Sequence, residues 1–160
     1  AQESNYFITI NTNKAPSENQ MPIAVECLQQ TLAALASNEV MPQWLIFGPV
    51  NPEVYGGDWP GEVITDVVWK AAIEQKPRLH AHIYLKIKHY SQIRFRPRQV
   101  GSGPPGFAEF AKRAWNNCIP ETIGLSSLRQ EGRMYVHSDL LDQSNWPAII
   151  QQYIVKGMCG

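Results

Sequence analysis

The chain is poor in cysteine, in net charge and in long apolar runs, and each shortage excludes something. Its three cysteines, Cys27, Cys118 and Cys159, are far apart and form no CxxC pair. Neither a disulfide framework nor a zinc knuckle follows from them, and they read as reduced thiols of an intracellular protein. No apolar stretch approaches the roughly 18–20 residues needed to cross a bilayer, and no signal-peptide pattern opens the chain. No internal repeat, low-complexity tract or second domain is visible. The formal net charge is zero, which argues against a nonspecific nucleic-acid binder.

The distribution of that charge is more informative than its sum. Residues 1–85 carry nine acids and four bases, whereas residues 86–160 carry ten bases and five acids. The halves stand at −5 and +5, which predicts one basic face. Apolar residues are 44% of the 160 and five are Trp, enough for a single globular domain with a sizeable core.

The stretch from Arg78 to Lys88 alternates strictly. Leu79, Ala81, Ile83, Leu85 and Ile87 fall on one face of a strand and His80, His82, Tyr84, Lys86 and Lys88 on the other. The first face predicts core. Two histidines at i and i+2 point the same way and can hold one metal ion; an amphipathic strand with solvated histidines is the ordinary alternative. Upstream, Val63 to Glu74 reads as a strand, with Gln75-Lys76-Pro77 as a turn. That hairpin would set Glu74 at its mouth, near His80.

The remaining elements follow from spacing and punctuation. Asn5 to Asn11 is a strand rich in aromatic and β-branched residues. Pro22 to Ser37 predicts a helix with Pro22 in its first turn and Ile23, Val25, Leu28, Leu32 and Leu35 on its apolar side. Gln43 to Phe47 predicts a strand stopped by Gly48-Pro49, and residues 48–62 a Pro/Gly-rich surface excursion. Ser91 to Pro105 predicts a mobile basic loop. Its Gly101–Gly106 segment (GSGPPG) matches a dinucleotide-binding spacing only formally, with prolines in the variable positions, no strand leading in and no Lys-Ser/Thr. Phe107 to Asn117 predicts a helix and Arg133 to His137 a strand. Ser144-Asn145, with Pro147 in the first turn, opens a last helix through Lys156 that ends at Gly157. Tyr153 and Lys156, three apart, share one of its faces. The pattern predicts an α+β fold with a central antiparallel sheet and flanking helices.

Three of these features, in this order, resemble the motifs of the HUH endonuclease superfamily, and most closely the rolling-circle replication initiator (Rep) proteins of viruses and plasmids. His80-Ala81-His82 is similar to the His-hydrophobic-His motif and Tyr153-Ile154-Val155-Lys156 to Tyr-x-x-Lys. Phe7, Thr9 and Asn11 match an FTxN-like strand more loosely, with Ile8 inserted. The resemblance runs from residue 5 to residue 157. It implies an RRM-like, ferredoxin-like topology and a metal-dependent, sequence-specific single-stranded DNA endonuclease and strand-joining enzyme acting at a replication origin.

It also implies roles. His80 and His82 would ligate Mg2+ or Mn2+, with Glu74 as acidic third ligand and Glu62 and Asp66 as competitors. Tyr153 would be the nucleophile, giving a covalent 5′-phosphotyrosine, and Lys156 would favour its phenolate or pair with phosphate. Lys86, Lys88, Arg94, Arg96 and Arg98, with Thr9 and Asn11 of the first motif, would contact single-stranded or stem-loop origin DNA. In Arg94-Phe95-Arg96-Pro97-Arg98 the cations suit phosphates and the ring suits bases. Such initiators often carry a C-terminal helicase domain or oligomerise, and no Walker motif is present here. The location implied is intracellular: the nucleus for a eukaryotic virus, otherwise the cytoplasm, with no membrane partner. A single-tyrosine transposase or relaxase, a non-cutting origin-binding module and an unrelated His/His/Glu metal enzyme such as an oxygenase are the competing readings.

Overall fold

The computed structural model describes residues 2–47, 64–89 and 93–141. In chain order these form β1 (Gln2–Asn11), α1 (Met21–Leu35), the single turn α2 (Met41–Trp44), β2 (Leu45–Phe47), β3 (Ile64–Glu74), β4 (His80–His89), β5 (Ile93–Phe95), α3 (Phe107–Cys118), a 3-10 turn (Ile123–Leu128) and β6 (Tyr135–Leu141).

The described residues form a four-stranded sheet, ordered β3-β4-β1-β6, in which every neighbouring pair is antiparallel. β1 and β3 therefore run parallel with β4 between them, and the connectivity β1-α1-β3-β4-α3-β6 is the split βαβ, ferredoxin-like arrangement. The fold is α+β, as the alternating strands and periodic helices predict.

The strict alternation of β4 does what its pattern dictates. Leu79, Ala81, Ile83, Leu85 and Ile87 are fully buried, and with Ile8, Ile10 and Val136 they pack on α1 and α3. Burying each large aliphatic side chain contributes about 1.5–3 kcal/mol before the entropy of ordering is charged. The other face of the sheet is left for chemistry.

Two local expectations change. Gln43-Trp44 is helical rather than extended: Pro42 occupies the first turn of α2, and the buried Trp44 indole donates to Leu35 O at 3.0 Å. Only Leu45–Phe47 is strand, paired with β5 in a small second sheet.

The basic segment after β5 is tied down rather than mobile. Arg96 N–H donates to Trp44 O (2.7 Å), Phe107 N–H to Arg96 O (2.8 Å) and Ala108 N–H to Pro97 O (2.9 Å). Glu109 accepts from the backbone N–H groups of Gly106 and Gln99. Gly106 is needed for close approach, since a Cβ there would lie 2.7 Å from Arg98 N and 2.8 Å from Arg96 O. Phe95 is held inward, its ring 5.5 Å from Trp44, 5.6 Å from Phe107 and 5.7 Å from Tyr6. The final strand starts at Tyr135 and runs on to Leu141, later than predicted. The excursion at 48–62 and the last helix lie outside the described residues.

Candidate metal centre

Strand register assembles the site. β4 pairs with β3 so that Glu74 stands opposite His80 and Ala72 opposite His82. On its other side, β1 sets Asn11 opposite His80 and Thr9 opposite His82. Directly opposed residues share a face, so Glu74, His80, His82, Thr9 and Asn11 all lie on the face away from α1 and α3.

Glu74 Oε2 is 3.1 Å from His80 Nε2 and 4.0 Å from His82 Nε2. One ligand atom from each of the three residues lies within 4.8 Å of the others. Ligands bound at about 2.1 Å to one ion stand roughly 3 Å apart at a right angle. The first separation matches that value, and the second is about 1 Å longer. Two imidazoles and a carboxylate form a donor set that suits a divalent cation.

The far nitrogen of each ring is held as well. His80 Nδ1 donates to Arg78 O at 2.5 Å, while its Nε2, within hydrogen-bond distance of Glu74 Oε2, is the nitrogen turned toward the cluster. His82 Nδ1 is 3.0 Å from the Thr9 hydroxyl, and the His82 ring stacks on Phe7 at 5.2 Å and 14°. The two imidazoles stand edge to face at 4.9 Å. Partners of this kind fix ring orientation and tautomer for a metal. Burial, then the neighbouring His80, holds His82 below the usual histidine range, against an opposing pull from Glu74. Its neutral, ligating form is thereby favoured.

Of the competing carboxylates, Asp66 stands opposite Lys88 in strand register at the other end of the hairpin, roughly 20–26 Å from the histidines by strand rise. Glu62 lies outside the described residues, as do Tyr153 and Lys156. Thr9, expected to touch DNA, is directed at His82; Asn11 stands half-buried opposite His80.

The expected cationic track divides. Lys86 pairs with Glu3 at 3.6 Å, and Lys88 is exposed further along the same face. The arginine segment sits elsewhere. Half-buried Phe95 packs against the core beside Trp44, Tyr6 and Phe107, so the segment lies on the helix side of the sheet. The segment and the histidines therefore lie on opposite faces of the sheet. Arg96 is structural, donating to Gln43 O (3.0 Å) and Pro105 O (3.4 Å). Burial, with Arg94 adding to it, lowers its pKa. Arg94 and Arg98 are exposed and line a groove of about 530 Å3 with Pro97, Val100 and Pro104. Half-buried Phe95 also lines this groove.

Residues that sequence reasoning passed over complete the sheet face. Exposed Lys70 follows the same alternation as Ala72 and Glu74 on β3. β6 contributes Tyr135, His137 and Asp139, opposite Asn11, Thr9 and Phe7. The signal for these three was present as an alternating Tyr-x-His-x-Asp in a strand predicted to stop at the histidine.

No protein-family model, curated protein or solved structure matches this chain. Among the described residues, no helix is long and apolar enough to cross a membrane.

Proposed function

We propose that the protein is a metal-dependent, single-stranded DNA nicking and joining enzyme of the rolling-circle initiator type. The observation that supports the reading is the Glu74–His80–His82 cluster, with both Nδ1 atoms held, on the sheet face opposite α1 and α3. Thr9 strengthens it, because it ties the first sequence motif to the second through one hydrogen bond. A divalent cation bound by these three residues would draw charge from a scissile phosphate and stabilise its transition state. Glu74 supplies the hard oxygen ligand, and the paired rings supply two neutral nitrogens.

Tyr153 is the proposed nucleophile, and Lys156, three residues on in the sequence, favours its phenolate. The phenolic oxygen bonds to phosphorus and the bond from phosphorus to the 3′-oxygen breaks. The products are a 5′-phosphotyrosine and a free 3′-OH, and the reverse reaction rejoins strands. Mg2+ or Mn2+ is the proposed cofactor and origin DNA, unpaired at the cut, the proposed substrate. Arg94, Arg98 and Lys88 are proposed to bind its phosphates. Such an enzyme would work wherever that DNA is copied inside the cell, the nucleus for a eukaryotic viral genome and the cytoplasm otherwise.

The test is incubation with a library of labelled single-stranded and stem-loop oligonucleotides in Mn2+, resolved on a denaturing gel. A covalent protein–DNA band is expected that disappears in Tyr153→Phe, His80→Ala and His82→Ala. No band from any oligonucleotide, with binding retained, would assign the chain to non-cutting DNA recognition instead.

A further inference from the structure

Nicking by this route has one requirement that the metal cluster does not meet. When the bond from phosphorus to the 3′-oxygen breaks, the departing oxygen takes an electron pair and needs a proton. The three metal-ligating side chains have no proton to spare for it, because Glu74 faces His80 and His82 and both Nδ1 atoms are engaged. Nor does Tyr84, whose hydroxyl donates to Asn5 Oδ1 at 2.7 Å. Lys86 is paired with Glu3, and Lys88 lies beyond it along β4.

The outer strand carries a better placed group. His137 stands opposite Thr9, and Thr9 stands opposite His82. His82, Thr9 and His137 therefore form one row across β4, β1 and β6, all on the metal-centre face. Two strand spacings put His137 about 10 Å from His82, Cα to Cα, a gap that a phosphate on the cluster and its 3′-sugar would fill. The His137 side chain is 57% exposed, and its Nε2 lies 3.3 Å from Asp139 Oδ2. Asp139, two residues on along the same strand face, orients the ring. Thr9, Phe7 and Asn11, the β1 residues opposite and beside the pair, carry no charge.

We propose that His137, oriented by Asp139, is the general acid that protonates the departing 3′-oxygen, and the general base when the 3′-OH returns for joining. The inference rests on the nicking reading and adds a strand polarity: the nucleotide on the 5′ side of the cut lies over β1 and β6. In the forward step the Tyr153 phenol releases its proton to solvent and its oxygen bonds to phosphorus. The 3′-oxygen leaves with the bonding pair and takes the proton from His137, which is then reprotonated from solvent. Imidazole loads and releases protons near neutral pH, as this cycle demands.

The experiment compares single-turnover cleavage in Mn2+ of two oligonucleotides that differ at one atom. One has the natural 3′-oxygen at the cut and the other a 3′-bridging sulfur, which leaves readily without a proton. His137→Gln should slow cleavage of the oxygen substrate by about 10²-fold or more, the range typical of a missing general acid. It should cleave the sulfur substrate within a few-fold of the wild-type protein. Asp139→Asn should show a smaller loss with the same rescue. Because both side chains are more than half exposed, the fold should survive either change, which circular dichroism checks. Equal losses on the two substrates, or no loss on either, would overturn the assignment while wild-type cleavage keeps the nicking reading intact. Failure of the wild-type protein to cut either substrate would overturn both.

Discussion

Removing the Thr9 hydroxyl tests whether the cluster is built for a metal. Thr9→Val keeps the shape and β-branching that suit the strand but replaces the group 3.0 Å from His82 Nδ1 with a methyl. The ring then has one restraint fewer on the direction of Nε2. Removing a supporting hydrogen bond of this kind costs about 10–100-fold in metal affinity, or roughly 1.4–2.7 kcal/mol. The assay is a Mn2+ titration by calorimetry, paired with thermal unfolding at fixed metal. At a concentration near 100 times the wild-type Kd, binding stabilises the native state by about 2.7 kcal/mol, and a tenfold weaker site gives about 1.4 kcal/mol. The metal-induced rise in Tm should therefore shrink by about 3–5 °C for a chain of this length. Thr9→Ser keeps the hydroxyl and should behave as the parent does. Parental Mn2+ affinity in Thr9→Val, or equal weakening in Thr9→Ser, would refute the positioning role.

Three further outcomes follow from the described geometry. Arg94→Ala with Arg98→Ala should weaken DNA binding and lower the dependence of log K on log[salt] by about 0.7–0.9 for each phosphate that is no longer neutralised, while Mn2+ affinity stays unchanged because the two sites lie on opposite faces. Gly106→Ala should destabilise the chain by about 1–3 kcal/mol in denaturant melts, since its Cβ would meet the backbone of Arg96 and Arg98 rather than a side chain that can swing away. The Cys27 thiol, which donates to Cys118 O, is pushed up to about 11 by burial, then by Cys118 and Glu26. A raised thiol pKa gives stability that is present below the ordinary value near 9 and disappears as pH rises toward 11. Urea midpoints of Cys27→Ala should lack that part of the alkaline decline.

What the chain disclosed in advance was what periodicity controls. The two-residue repeat of β4 is decided by which side chains must leave water, so its buried face, and with it the direction of His80 and His82, was legible. Glu74 was legible for a related reason, because a short turn after a strand leaves few pairings. The arginine segment was misread because its glycines and prolines signal a loop but not whether the loop is held. Backbone hydrogen bonds to Trp44 and α3, together with Phe95 packed against the core, join residues far apart in sequence. Thr9 was placed on DNA for the same reason, since its pairing with His82 spans 73 residues. His137 and Asp139 were passed over because strand ends are set by pairing with β1, which local propensity does not report.

The geometry of the metal centre is set from the opposite face of the sheet. On β3, Val67, Trp69, Ala71 and Ile73 pack against the core, with Trp69 6.1 Å from Trp44, while Lys70, Ala72 and Glu74 alternate outward. Sliding β3 by one residue along β4 would exchange these sets, exposing Trp69 and Ile73 and driving the Glu74 and Lys70 charges toward Leu28 and Leu32. Exposing these two half-buried apolar groups costs about 1–3 kcal/mol, and an unpaired buried charge adds several more. That sum rivals the net stability of an ordinary domain. The 3.1 Å approach of Glu74 to His80 therefore does not depend on its own modest attraction. It is imposed by hydrophobic residues that never touch the site, so Glu74→Gln should leave the hairpin register intact, as amide exchange across β3 and β4 would show, while weakening Mn2+ binding in the same calorimetric titration.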